Sequence, residues 1–293
     1  MSRTTFIRVV EYWLPSADGS LLEYGGGVFG SATRFEAATE HLCFGRGEGL
    51  PGQAWDLGHP IVLKDLTNSY FRRGPAAQAA GLTCGIALPI FDGSTLRAVV
   101  VLFCGDDEAH AGAIELWAND ADAPADLKLV DGYYGTTGDT FEFISRATAF
   151  RKGTGLPGRV WESESPVFLP DLGKGSGFLR AEGAIKVGIN RGFAIPCTTP
   201  EGQVFVITFL SALATPIASS VGIWEAGHAG EPPRRSFGFS EAEGVLEGVA
   251  PAGQAGVVAS VLASGQPVVD GAAITIPVAP GGQMRAAMVL GFH

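Results

Sequence analysis

The run of β-branched and aromatic residues over 5–13 predicts a strand. Pro15-Ser-Ala-Asp-Gly19 is turn chemistry, residues 21–24 resume an extended segment, and Gly25-Gly-Gly27 is expected to interrupt it. Ser31 is placed to cap a helix over 33–41, with Phe35, Ala38 and Leu42 on one stripe. Pro51 suits the first turn of a short helix that carries Trp55 inward. Residues 60–64 read as a brief strand, and Asn68 or Ser69 as the cap of a helix reaching Ala80. Two apolar runs, 84–91 and 96–104, flank Asp92-Gly-Ser94 and predict a β-hairpin. That turn puts Cys84 within two residues of Cys104 across the ladder, both as reduced thiols.

The whole pattern then recurs. Gly47-Glu-Gly-Leu-Pro-Gly-Gln-Ala-Trp55 returns as Gly153-Thr-Gly-Leu-Pro-Gly-Arg-Val-Trp161, 106 positions later (153 − 47). Pro60-Ile-Val-Leu-Lys-Asp-Leu66 is answered by Pro166-Val-Phe-Leu-Pro-Asp-Leu172, and Phe71-Arg-Arg73 by Phe178-Leu-Arg180. Gly81 and Ala87-Leu-Pro89 are answered by Gly188 and Ala194-Ile-Pro196. Ser220-Val-Gly-Ile-Trp224 opens a third copy, in which Gly256-Val-Val-Ala-Ser-Val-Leu262 stands in the place of Gly-Leu-Pro-Gly-x-x-Trp. Between Val269 and Ile274 only Asp-Gly-Ala-Ala remains, so the segment carrying Asp-Leu and Phe-x-Arg is lost there. Self-similarity on this scale predicts three units, at 1–108, 109–216 and 217–293, in a tandem array. If the array is quasi-one-dimensional, valine at Gly52 or Gly158 destabilises its own unit alone.

Composition narrows the class. Hydrophobic residues at 46%, charged residues at 17%, 42 glycines and 18 prolines describe a globular, turn-rich chain. A net charge of −10 without a basic cluster disfavours nucleic acid and anionic membranes as partners. The first residues lack the apolar core and cleavage site of a signal peptide, and the four cysteines form neither a disulfide framework nor a zinc pattern. The expected compartment is the cytoplasm. Residues 204–224 are uncharged and long enough to span a bilayer. Pro216, Gly222 and the acidic interruption of the matching stretch in the first unit predict strand, linker, strand instead. That acidic run, Asp106-Asp-Glu108 with His110, reads as a solvated linker, and His41 with Cys43 as no metal site. No G-x-S-x-G and no recurring Ser-His-Asp set points to catalysis. The enzymatic alternative is a small redox or hydrolytic activity using Cys84 or Cys197; a structural array without a small ligand is a third class.

The order strand, strand, helix, G-x-G-L-P-G, short strand with Asp-Leu, helix, Gly…Ile/Leu-Pro and hairpin resembles the GAF domain. The resemblance covers the first two units and a shortened core in the third. It implies an α+β fold, with antiparallel β-sheets and helices packed on their faces, and a pocket on one side of the sheet. It also implies a non-catalytic small-molecule sensor or regulatory and dimerisation module. The cofactor stays unknown: the bilin-attaching Cys, the cyclic-nucleotide signature and the paired cysteines of the methionine sulfoxide reductase are not found. Without a visible kinase, cyclase or phosphodiesterase, such a sensor is expected to report through a protein partner or self-association. In the family, the segments equivalent to 65–81 and 171–188 border the pocket. Candidate ligand-binding residues are therefore Trp55, Phe71 and Arg73, and Trp161, Phe178 and Arg180, with Asn190 beside them. The repeated arginine makes the expected ligand small and anionic. A guanidinium there can equally bridge to an acid of its own sheet, and the tryptophans can equally be core. Asp65 and Asp171 are expected to accept backbone N–H groups, and the glycines of both Gly-Leu-Pro-Gly turns to set backbone geometry rather than cradle phosphate. No pocket is expected in the third unit, whose sheet needs cover from its neighbours or from a second chain.

Overall fold

In the first unit β1 (Ile7–Pro15), β2 (Leu21–Val28), α1 (Thr33–Ala37), β3 (Cys43–Gly45), α2 (Gly49–Leu57), β4 (Ile61–Leu63), α3 (Gly74–Ala79), β5 (Cys84–Asp92) and β6 (Thr95–Cys104) follow in order. The second unit repeats this with β7 (Gly112–Asn119), β8 (Leu127–Tyr133), α4 (Asp139–Arg146), β9 (Ala149–Phe150), α5 (Gly155–Ser163), β10 (Val167–Leu169), α6 (Ala181–Lys186), β11 (Arg191–Thr198) and β12 (Val204–Ser211). The third has β13 (Ser220–Glu225), β14 (Arg234–Ser240), β15 (Gly244–Val245), α7 (Ala252–Ser264), β16 (Val268–Asp270), β17 (Ala273–Val278) and β18 (Ala286–Gly291). The structure, a computed structural model, describes residues 4–105, 111–120, 125–137, 139–173, 175–228, 231–248 and 250–292. The acidic run 106–108 and His110 lie outside the described residues. All three sheets are antiparallel with one strand order, β3-β2-β1-β6-β5-β4 and its two equivalents. The uncharged stretch 204–224 is strand, connection, strand, and no helix among the described residues is long and apolar enough to cross a membrane.

Local chemistry explains where the elements depart from the sequence pattern. Strand β2 continues through Gly25-Gly-Gly27 with a bulge at Gly25, and neighbouring rings occupy the space that side chains would need. A Cβ at Gly25 would lie 2.3 Å from the Tyr12 ring, and one at Gly27 2.6 Å from Phe29. The helix expected from Asn68 or Ser69 starts only at Gly74. Before it, Asp65 accepts the N–H groups of Thr67 and Asn68, which holds a tight turn rather than capping a helix. Asp171 does the same for Gly173. At the repeated turns, a Cβ on Gly52 would sit 2.1 Å from the Gly45 carbonyl oxygen, and one on Gly158 2.0 Å from that of Arg151. The Gly47 and Gly153 N–H groups donate to the carbonyls of Gly52 and Gly158, both at 2.8 Å. These glycines are therefore required by close backbone approach.

Each sheet is apolar on both faces. Along β1, Val9 and Trp13 point to the helices, whereas Val10 points the other way and Tyr12 and Leu14 pack on that same inner side. Along β6, Val99, Val101 and Phe103 alternate with Ala98, Val100, Leu102 and Cys104. The outward faces build one core per unit with that unit's helices, and the third unit's small outer core packs Trp224 and Val289 against Val258 of α7. The inward faces of all three sheets meet in one shared core that includes Ile86, Leu102, Phe193, Ile207, Ile276 and Met288. The units close into a ring: β4 packs on β8, Phe168 of β10 on Phe237 and Phe239 of β14, and β16 on β2. Pro89, Pro196 and Pro277 meet beside the ring axis, lining one small central cavity. Each lies in the half of its strand beyond the reach of the short edge strand, where its missing N–H costs no ladder bond.

The independence expected of a tandem array is thereby corrected, since the inner face of every sheet is covered by the other two units rather than by its own helices. The third sheet is covered on its inner face by its neighbours and on its outer face by α7. Cys84 pairs directly with Cys104 across the hairpin, both free and buried. Truncating Ile276, fully buried in the shared core, should cost about 2–5 kcal/mol. Hydrogen exchange on Ile276→Ala should show lost protection in all three sheets; loss confined to 217–293 would contradict the single core.

Candidate functional site

Glu11 lies on the outward face of β1, two residues before Trp13, and is fully buried. Arg73, at the start of α3, is only 6% exposed and grips it with both terminal nitrogens, Nη1 to Oε2 at 2.7 Å and Nη2 to Oε1 at 2.8 Å. Nη1 also donates to the Thr39 hydroxyl, and Trp13 Nε1 donates to Glu11 Oε1 at 3.0 Å. The guanidinium carbon is 4.5 Å from the Phe35 ring centre and 5.0 Å from that of Phe71. The second unit builds the same cluster: Arg180 is paired with Glu115 and Ser145, Trp117 Nε1 donates to Glu115 at 3.2 Å, and Tyr134 adds its hydroxyl at 3.1 Å. Burial first, and then the Glu115 charge, hold the Tyr134 phenol well above its ordinary range.

The sequence offered these arginines two partners, a ligand anion or an acid of their own sheet, and the structure places the second. Desolvation decides it: two buried charges are tolerable only when paired and hydrogen-bonded, and here every carboxylate oxygen has a donor. Phe71 and Phe178 are correspondingly core residues stacked on the guanidinium, not an open wall. Trp161 is buried behind Lys152, whose ammonium lies 5.3 Å from its ring, and Trp55 is half-buried on the outer core of unit one. Asn190 is not brought to Arg180; its amide donates to the Gly188 carbonyl at 2.9 Å. The partner glutamates went unnoticed in the sequence, although Glu11-Tyr-Trp13 and Glu115-Leu-Trp117 share their spacing. The third unit has Gly222-Ile-Trp224 at that place and lacks the arginine segment, so both charges are gone together. Trp224 Nε1 is left buried without a hydrogen-bond partner, beside the space where a glutamate would stand: a Cβ on Gly222 would be 3.2 Å from it.

Open space lies beside these clusters. In the first unit a groove of about 230 Å³ runs between α1 and α3, with Ser31, Thr33 and Arg34 on one wall and Ala76, Ala79 and Ala80 on the other. Small residues keep it open. At the matching place in the second unit, Ile144 reaches over α6, with its Cδ1 3.1 Å from where a Gly183 Cβ would be. Cys84 and Cys197 are buried, and burial pushes the Cys197 thiol up to about 12. Among the described residues no three His, Cys, Asp or Glu side chains converge as a metal site.

Residues 3–122 match the sequence model of the GAF domain family. The first unit is a GAF domain. The strand order it shares with the other two sheets makes the chain a tandem of GAF-like α+β units. Among solved structures, the GAF domain of A. Aeolicus nlh2, in an inactive state, is 20% identical with a TM-score of 0.28, covering 34% of this chain and 59% of that one, less than two thirds of its length. NreA of Staphylococcus aureus, mutated in its nitrate binding site, is 14% identical with a TM-score of 0.28, covering 34% of this chain and 76% of that one. A further GAF domain structure is 13% identical with a TM-score of 0.27, covering 35% and 50%. No curated protein matches the chain.

Separating the two charges should be far worse than losing both. Arg73→Met alone should destabilise by about 3–5 kcal/mol, because Glu11 is left buried and uncompensated. The double variant Glu11→Leu, Arg73→Met should recover most of that loss in denaturant unfolding. A double variant as unstable as the sum of the singles would refute the pairing.

Proposed function

We propose that the chain is a non-catalytic sensor or regulatory protein, whose first unit takes a small ligand in the groove between α1 and α3. The observation that carries this reading is the groove itself, held open by alanines in the unit that matches the GAF family. Arg34 on its wall is exposed and has no ion-pair partner among the described residues, so the reading favours a ligand with a negative charge. The buried Glu11–Arg73 pair underlies the groove as fixed structure, and Phe35 of α1 joins the two, touching the guanidinium and lining the groove. Four free cysteines and the acidic surface fit a cytoplasmic protein without nucleic-acid or membrane partners. The signal would pass to a protein partner or through self-association, for which exposed Phe143 and Ile185 on the helices of the second unit offer apolar surface.

Thermal-shift screening of small metabolites tests the reading. A ligand should raise the melting temperature of the wild type and lose that effect in Arg34→Gln and in Ala79→Leu, which fills the groove. Stabilisation that survives both substitutions would place the ligand elsewhere.

A further inference from the structure

At the junction of the first two units lies a separate cavity of about 520 Å³, roofed by Tyr133 of β8 and floored by Leu82. We propose that it is a second binding site, for a small monocarboxylate carrying further hydrogen-bonding groups, held by Arg8. This site does not depend on the groove of the first unit.

The pairing of β1 with β6 shifts register between Ile7 and Val9, so Arg8 is the extra residue, and such a bulge re-aims its side chain. Glycines make room for the guanidinium: a Cβ on Gly81 would lie 2.3 Å from Arg8 Nη1, and one on Gly105 2.6 Å from its Nε. Nη1 donates to the Gly81 carbonyl at 2.7 Å, while Nε is buried with no hydrogen-bond partner. Arg73, Arg180 and Arg191 each have a glutamate; Arg8 has no ion pair among the described residues.

The second junction differs from this one at three equivalent positions. There, Arg191 at the start of β11 fills the space, binding Glu241 through Nε at 2.9 Å and Nη2 at 2.8 Å, with Phe239 beneath it at 5.0 Å. The residue equivalent to Arg191 in the first hairpin is Cys84, which has no long side chain to reach this junction, and Tyr133 stands where Phe239 does. The residue equivalent to Arg8 is Gly112, and around Gly188, the counterpart of Gly81, a Cβ would meet nothing within 4 Å. Where one junction neutralises itself, the other leaves a cation facing a cavity.

The pairing of the charged groups points to the ligand class. Lys64 on the rim is paired with Asp131. Asp65 directs its oxygens at Thr67 N, Asn68 N and Asn68 Nδ2, which also holds its carboxyl below the usual range. Arg8 is thus the cation on this lining without a carboxylate partner among the described residues, while Asp65 keeps its own charge at the rim; the planar fork of a guanidinium matches a carboxylate. The Thr67 hydroxyl and the Gln78 amide add donors and acceptors for a polar substituent.

Calorimetric titration at constant ionic strength, with glycolate as probe and acetate and inorganic phosphate for comparison, tests the site. Glycolate should bind the wild type most tightly. Binding should weaken about ten- to a hundredfold in Arg8→Gln, as expected for a lost charge-assisted hydrogen bond. Gln78→Glu, a change at an exposed side chain that leaves the fold intact, should weaken it as well, while Arg34→Gln should not. No glycolate binding to the wild type, binding unchanged in both Arg8→Gln and Gln78→Glu, loss in Arg34→Gln, or a preference for phosphate would each overturn the proposal.

Discussion

Every strand at the centre of this protein is apolar on both faces, and that constraint determines the architecture. A sheet of this kind cannot leave either side in water, since each exposed large side chain forfeits about 1.5–3 kcal/mol of burial. Helices cover the outer side of each sheet. No helix remains for the inner side, so the three inner faces cover one another. The ring that results also deals with the sheet edges. The edge strands are only two or three residues long, and β4, β10 and β16 each turn their edge toward the next unit. Three copies of one heterologous contact close the ring.

Against that frame the buried ion pairs have a definite place. On the outer faces of β1 and β7 these pairs tie the helical layer to the sheet, with Arg73 and Arg180 reaching the glutamates from the starts of α3 and α6. A bidentate pair surrounded by aromatic rings has one geometry, whereas a purely apolar contact tolerates several. The third unit shows the converse. Its helical layer is the single helix α7, it has no loop to position, and both charges are missing. A glutamate retained there without its arginine would be an uncompensated buried charge, so the two could be lost only together.

Much of this was legible in the sequence, and what was not has physical causes. The hairpins, the repeated turns and the shared strand order follow from local chemistry, which a repeat makes visible twice. The closeness of Cys84 to Cys104 follows from the turn at Asp92-Gly-Ser94, and a bulge between Ile90 and Phe91 turns it into direct pairing. The strand through Gly25-Gly-Gly27 was hidden, because what makes glycine acceptable there is the ring of Tyr12, thirteen residues away. The Glu11–Arg73 pair was hidden by its separation of 62 residues, although its recurrence as Glu115–Arg180 was there to be read. The shared core left a plainer trace. An antiparallel strand with one wet face alternates, and Ala98-Val-Val-Val-Leu-Phe-Cys104 does not. A run without polar positions states that both faces are buried, and in a chain with too few helices the second cover has to be another sheet.

Pseudo-symmetry also indicates where function is to be sought. A ring of three related units presents the same positions three times, and residues that serve the fold recur: the opening tryptophans, the axial prolines, the glycines of the turn in the first two units. Features that occur once are the ones the fold does not demand. By that criterion the alanine-lined groove of the first unit and the Arg8 bulge at the first junction stand apart, since Ile144, Gly112 and Arg191 show that equivalent sites fold without them. Both lie on β-strands or helices that also contact the shared core or the Glu11–Arg73 cluster. A ligand at either place would therefore act on elements whose other side is already fixed by the neighbouring units, and any movement it causes has to appear as a change in how those units pack.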